Sequence, residues 1–301
     1  MIVVFGSINI DLVGHAPTLM RPGETVLGST LDFAPGGKGA NQALAAARAG
    51  AEVKMVGCVG SDDFATRALE LLREGGVDLT GVRQMDRHTG TALIIVDAEG
   101  ENMITVLPGA NSRLNAAALE AAGIGAEDWL LLQLETPIDA SIAAARLARE
   151  RGAKVVLNLA PFMDFDLALL ADIDVLVVNE TELAGVLAML GAPALDEAAS
   201  VAWLAEKTGT TVVATLGARG ALAAANGDIF TTPALAIAPI DTVGAGDTFV
   251  GYLAAGLAGN LALHQAMEQA GIAAGLACLT RGAQPSIPAI GAVTARLAVE
   301  K

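Results

Sequence analysis

The sequence predicts an α/β fold: a Rossmann-type three-layer sandwich with a mostly parallel central sheet, plus a small β-sheet lid. Three observations lead there. Short, continuously apolar runs such as "IVVF" (2–5) and "DWLLLQLE" (128–135) read as strands buried on both faces. Helix-compatible stretches separate these runs. Two segments, 10–35 and 89–108, interrupt the alternation with β-like patterning and turn residues.

The elements follow in order. After "IVVF", "GANQALAAARAG" (39–50) is a helix with Gly50 as its stop, and "EVKMVGCVG" is the next strand. "SDDFATRALELLREGG" (61–76) reads as one helix, opened by capping acids and closed by a glycine pair. "SIAAARLARERG" (141–152) leads into strand "KVVLNLA", and "DVLVVN" (174–179) and "TTVVATLG" (210–217) are further buried strands. "ALAAANGDIFTTP" (221–233) reads as a hairpin turning at Asn226-Gly227. "DTFVGYLAAGLAG" is apolar and helix-compatible. Residues 89–108 read as a hairpin around Glu99-Gly100, and 10–35 as short strands among Pro17, Pro22, Gly23 and Gly28. The core is therefore expected at 1–9, 36–88 and 109–301, and the lid at 10–35 and 89–108.

Composition narrows the function. The 301 residues suit one large α/β domain with a small appendage. The 53% hydrophobic content is rich in alanine, which suggests closely packed helices. No apolar run reaches the roughly 20 residues that a membrane helix needs. The N-terminus lacks a basic region and a cleavage-like site, so a cytoplasmic protein is expected. Cys58 and Cys278 cannot form a disulfide framework or a four-thiolate zinc site. His15, His88 and His264 show no metal-ligand spacing. A formal net charge of −15 argues against nucleic acid and anionic membranes as partners. Any phosphate site must then be locally positive, built from backbone N–H groups, a few cations and a metal.

Several motifs carry chemistry. "APGGKGANQ" (34–42) is not a P-loop: a Walker A motif needs Gly at position 32 and Ser or Thr at 39, where Asp32 and Gly39 stand. Gly37 would let a ligand approach the backbone, Lys38 supplies a cation, and Asn41 sits at a helix start; the alternative is a plain glycine-rich helix entry. Asn9 and Asp11 are two apart, so in an extended segment they share a side, suited to binding hydroxyls or to making a turn. Glu135 closes a buried strand. Asn179 and Glu182, three apart at a helix start, could hold hydrated Mg²⁺ or simply cap the helix. In "DTVGAGDTF" (241–249) a dinucleotide fingerprint would need Gly where Phe249 stands. The stretch opens a helix whose Ala245, Gly246 and Asp247 N–H groups would form an anion hole. Asp247 would take a proton from an attacking hydroxyl, or else be an N-cap.

Together, "GSINIDLV", "PGETV", "GGKGANQA", "GTALI" with "GENMI", "QLE", "NETE", "TLGARG", "VGAGDTF" and "RGAQPSIP" resemble the ribokinase family of sugar kinases, within the phosphofructokinase-B superfamily. The resemblance spans essentially the whole chain. It implies ATP-dependent phosphorylation of ribose at O5. Asn9, Asp11, Gly37, Lys38, Asn41 and Glu135 would bind the sugar, and Asp247 would be the base beside the anion hole of Gly244, Ala245 and Gly246. Asn179 and Glu182 would act around Mg–ATP. Thr215, Gly217 and Gly220 would line the nucleotide, with Gly271 at the adenine-flanking position where the family often has Asn. K⁺ would be bound at Asp241, Val243, Ala277, Thr280, Gly282 and Ser286, mostly through carbonyl oxygens. Lid closure would exclude water, and the lids would pair in a homodimer. Relatives that phosphorylate fructose, deoxyribose, ketodeoxygluconate or nucleosides share the same apparatus.

Overall fold

The computed structural model describes residues 1–300; Lys301, the last position of the expected core, lies outside them. Along the chain, β1 (Ile2–Phe5), β2 (Asn9–His15) and β3 (Thr30–Gly36) precede α1 (Lys38–Arg48) and β4 (Val53–Gly60). Next come α2 (Asp63–Ala68), α3 (Glu70–Glu74), β5 (Asp78–Met85), β6 (Gly90–Val96), β7 (Asn102–Leu107), α4 (Ala116–Ala122), β8 (Trp129–Leu132), α5 (Ile138–Glu150) and β9 (Lys154–Asn158). The second half holds β10 (Val175–Asn179), α6 (Glu180–Met189), α7 (Glu197–Thr208), β11 (Thr211–Thr215), β12 (Ala221–Ala225) and β13 (Asp228–Thr232). It ends with α8 (Ala245–Ala258), α9 (Leu263–Ala277), α10 (Ala283–Ser286) and α11 (Ile290–Glu300).

A nine-stranded sheet runs β13-β12-β11-β10-β9-β8-β1-β4-β5. Its members from β11 to β5 are parallel. The last two form an antiparallel hairpin. At its turn Asn226 and Gly227 both have positive φ, as a two-residue primed turn requires. The central strands are apolar throughout because both faces are covered. On one face α1, α8 and α9 pack Leu44, Tyr252 and Met267 with Val4 and Met55. On the other, α4 to α7 pack Leu119, Ala144, Val186 and Leu204 with Phe5, Leu132 and Leu157. Alanine makes this close: α5 buries Ala140, Ala144, Ala145 and Ala148, a single stripe at helical spacing. Burying each large aliphatic side chain contributes about 1.5–3 kcal/mol.

The chain moves outward from β1 in both directions, to β4 on one side and β8 on the other. Such a switch point opens a crevice at the strands' carboxyl ends, where α/β proteins bind ligands. A separate four-stranded sheet, β3-β2-β6-β7, joins the core beside that crevice. Its β2 pairs antiparallel with β3 and parallel with β6, which pairs antiparallel with β7.

Some elements differ from expectation. The helix expected over 61–76 is two short helices, broken at Leu69, although Asp62 does cap its start by accepting from Ala65 N–H at 3.2 Å. The strand expected over 128–135 ends at Leu132, and Gln133 to Glu135 turn into the crevice edge. Asn9, expected in the core segment 1–9, lies with Asp11 on β2 of the small sheet. Among the described residues, no helix is long and apolar enough to cross a membrane.

Candidate active site

Two helix N-termini and the loops after β1 and β8 build the site. The loop after β1 carries Ser7, and its carbonyl accepts from Ala40 N–H at 2.9 Å. Ser7 Oγ accepts from Gly39 N–H at 3.2 Å and donates to Glu135 Oε2 at 2.6 Å. The same carboxylate oxygen accepts from Lys38 N–H at 3.0 Å. Glu135 therefore caps α1 from the loop after β8, its charge set against the positive end of the helix dipole.

The second helix, α8, begins at Gly244, whose φ of 77° is left-handed. A Cβ there would also lie 2.8 Å from Ala283 Cα, so the turn requires glycine. The expected anion hole is smaller than three donors. Ala245 N–H is directed to Thr242 O at 3.2 Å, which leaves Gly246 and Asp247 N–H without a protein acceptor. Asp247 is 8% exposed. Its Oδ2 accepts from Asn41 Nδ2 and its Oδ1 from Gln42 Nε2, each at 2.9 Å. Gln42 Nε2 also donates to Asn158 Oδ1 at 3.0 Å, and Gln42 Oε1 accepts from Gln133 Nε2 at 2.7 Å. A carboxylate so held is pre-oriented for proton transfer.

Charge converges here. Burial, then Glu135 and Asp247, push the Asp11 carboxyl up to about 7. Asp247, against the opposing effect of burial, and then Glu135 and Glu182 raise the Lys38 ammonium. Burial is the main cause that raises Glu182. Lys38 thus stabilises a crowded set of carboxyl groups, an arrangement ready for hydroxyl protons and added cations.

The residues expected at the nucleotide lie further along the same sheet edge. Asn179 ends β10 and Thr215 ends β11, paired with each other in register. Thr215 Oγ1 donates to Val178 O at 3.4 Å. Gly217 and Gly220 bound a 3-10 turn, and Arg219 between them bridges Glu180 and Glu197. Gly271 lies on α9, where an added Cβ would sit 4.0 Å from Pro233 O.

Asn179 and Glu182 form a capping box: Asn179 Oδ1 accepts from Glu182 N–H at 2.9 Å and Glu182 Oε2 from Asn179 N–H at 2.8 Å. The box leaves Glu182 Oε1 unpartnered, which fits a metal held through water by few protein ligands. No cluster of three or more His, Cys, Asp or Glu able to hold a metal occurs among the described residues. Asp241 Oδ1 accepts from Val243 N–H at 3.0 Å and Oδ2 from Gly282 N–H at 2.8 Å. Cys278 O receives Asp241 N–H at 3.2 Å, and Ala277 O receives Thr280 N–H at 3.2 Å. Ser286 Oγ donates to Ala283 O at 2.8 Å. The Asp241 bonds to Gly282 and Cys278 bring 241–244 and 277–286 together.

Sequence reasoning did not single out Ser7, Gln42, Asn111, Gln133 or Asn158. The available signal was a polar residue inside an otherwise apolar run, as at Gln42, Gln133 and Asn158; all three are buried.

This fold and site define an α/β enzyme acting on a small molecule in the crevice between a parallel core and a β lid. The chain belongs to the pfkB family of carbohydrate kinases, whose model matches residues 1–290. It is 38% identical to the ribokinase of Haemophilus influenzae over 293 residues, covering 95% of each chain. The ribokinase structure of Thermotoga maritima superposes with a TM-score of 0.91 at 31% identity, covering 99% of each chain. The Arabidopsis thaliana ribokinase complexed with ribose and ATP gives 0.87 at 30% identity, covering 98% of each. The protein is thus an ATP-dependent sugar kinase.

Proposed function

We propose that the protein phosphorylates D-ribose at O5, giving ribose 5-phosphate. The observation that carries the mechanism is the buried Asp247 carboxylate at the start of α8, held by Asn41 and Gln42 next to the free N–H groups of Gly246 and Asp247. In this reading Asn9, Asp11, Gly37, Lys38, Asn41 and Glu135 hold the sugar. Asp247 accepts the 5-hydroxyl proton as that oxygen attacks the γ-phosphorus of ATP in line, and the bond from that phosphorus to the β,γ-bridging oxygen breaks, so that ADP leaves with the bonding electron pair. The Gly244 turn aims the two N–H groups at the charge developing on the transferred group. Thr215, Gly217, Gly220 and Gly271 line the nucleotide. Asn179 and Glu182 would hold Mg²⁺, which would neutralise phosphate charge when bound. Asp241, Val243, Ala277, Thr280, Gly282 and Ser286 would hold K⁺, which would add positive charge beside the anion hole.

Residues 10–35 and 89–108 serve as a lid that closes over the sugar and excludes water. Its apolar residues Leu31, Phe33, Met103 and Ile104 are exposed, which supports pairing of two lids in a homodimer. A cytoplasmic location agrees with a soluble sugar and ATP as substrates.

Asp247→Ala tests the mechanism. Turnover should vanish while calorimetry still detects ribose binding; near-normal turnover would refute the assigned base. An ADP-release assay over pentoses, ketohexoses and nucleosides tests the substrate. Ribose should give the highest kcat/KM, and a better sugar or nucleoside would replace it.

A further inference from the structure

Asn111 lies in the 3-10 turn Gly109–Arg113 that follows β7, and it is 1% exposed. Its Oδ1 accepts from Ile8 N–H at 3.0 Å. Its Nδ2 donates to Ile8 O at 3.2 Å and to Asn9 Oδ1 at 2.7 Å. The polarity of this chain follows from its first link. A backbone N–H can only donate, so the Asn111 atom facing Ile8 N must be the oxygen. The Asn111 NH₂ must then face Ile8 O and Asn9. Its partner on Asn9 must accept, so it is Oδ1, and the Asn9 NH₂ points away from Asn111. Gly90, where β6 begins, makes the contact possible. A Cβ there would lie 2.2 Å from Asn9 Oδ1 and 2.3 Å from Asn111 Nδ2.

We propose that Asn111 is a positioning residue that fixes the Asn9 amide as a hydrogen-bond donor toward the sugar, so that a pair of neighbouring hydroxyls is read by one donor, Asn9, and one acceptor, Asp11. The inference rests on the reading of Asn9 and Asp11 as sugar contacts. Both residues lie on β2 and, two apart, share one side of the strand. One hydroxyl oxygen accepts from Asn9 while its neighbour donates to Asp11. A sugar lacking either hydroxyl leaves a buried polar group unpaired, which is the stronger form of discrimination. Asn111, Gly90 and Asn9 all lie where the small sheet joins the core, so the polarity is set at the base of the lid.

Two variants of the full-length protein test this, with ribose titrated by calorimetry and kcat and KM measured alongside. Asn9→Asp keeps an acceptor for the Asn111 NH₂ but replaces the donor facing the sugar. Asn111→Asp keeps the acceptor for Ile8 N–H but removes the donor to Asn9, whose amide then turns to donate to the new carboxylate and shows its oxygen to the sugar. Each should raise the ribose Kd and KM by roughly tenfold, the loss of about one hydrogen bond. For Asn111→Asp, which touches no substrate, the kcat at saturating ribose should stay within about threefold. A raised Kd in Asn9→Asp with a wild-type Kd in Asn111→Asp overturns the proposal alone. A wild-type Kd in Asn9→Asp overturns it together with the sugar-contact reading. Should Asn111→Asp not fold, the wild type decides: the Asn9 side-chain amide protons should shift in the NMR spectrum on adding ribose, and their indifference overturns the assignment.

Discussion

Gln42 Nε2 donates to Asp247 Oδ1 at 2.9 Å, and the Gln42 carbonyl is itself held by Gln133 at 2.7 Å. The plane of the Asp247 carboxylate is thereby set from α1 and from the end of β8. Gln42→Leu breaks this link without removing the carboxylate. Misorientation of a reacting group by a fraction of an ångström to one ångström costs up to about a hundredfold in rate. The kcat should fall on that order while the ribose Kd changes less than about threefold. Stopped-time ADP release and calorimetry measure the two; an unchanged kcat would show that Asp247 needs no help from Gln42.

Gly244 and Gly246 should fail in different ways. Gly244→Ala places a Cβ at positive φ and against Ala283, destabilising the fold by roughly 1–3 kcal/mol. Gly246→Ala meets open space in the protein and has no such backbone constraint. Its melting temperature should stay close to wild type, yet a methyl added at the proposed anion hole should lower turnover by about a hundredfold or more. Thermal melts paired with activity separate the two. Equal melting temperatures for both variants would contradict the geometry.

Asp11 titrates near neutrality because burial, Glu135 and Asp247 push it up to about 7. The folded state then holds a proton that the unfolded state releases near pH 4, so stability is greatest below that pH and falls as pH rises through about 7. Asp11→Asn removes this slope. Relative to wild type it should gain on the order of 2 kcal/mol between pH 5 and pH 8, after allowing for screening in a partly open site. Urea melts at the two pH values check it. In the wild type, ribose affinity should improve as pH rises through about 7 and Asp11 becomes a full acceptor.

Arg48 Nη1 donates to Gln284 O at 2.9 Å and to Ile287 O at 2.6 Å, and Tyr252 Oη donates to Pro288 O at 2.8 Å. Helices α1 and α8, which carry Lys38 and Asp247, therefore clamp the segment around α10 from behind. With K⁺ bound as proposed, Arg48→Met should raise the K⁺ concentration giving half-maximal activation several-fold, and it should lower stability by roughly 1–3 kcal/mol, since two buried carbonyls lose a charged donor. K⁺-dependent thermal shift reads the effect without turnover. A K⁺ response identical to wild type would separate the clamp from the cation.

The fold class was legible because its signals are local. Apolar strands such as "LLLQ" and "VLVVN", and the Asn226-Gly227 turn, need only a few neighbouring residues. The break at Leu69 was not legible, since the helical pattern continues across it and the packing beneath decides. In the site, Asp247 and Lys38 announce themselves as charges beside glycines. Gln42 and Asn158 do not, because an amide in an apolar run has no meaning until residues from α1, β9 and α8 face one another. Asn111 likewise lies 102 residues from Asn9 in sequence, and only the small sheet brings them together. The lost donor at Ala245 depends on how the preceding turn closes, which no spacing reveals.

The parallel pairing of β2 with β6 joins Asn9 to Gly90 across β3, α1, β4, α2, α3 and β5. A parallel pair cannot close through a tight turn, and closing so long a loop has an entropic cost that must be met before the pairing stabilises anything. The small sheet should therefore assemble late, after β1, β4 and β5 have drawn its strands together. Its amides should also exchange with solvent sooner than those of the central strands, so pulse-labelling hydrogen exchange during refolding would record the core protected first and the small sheet last.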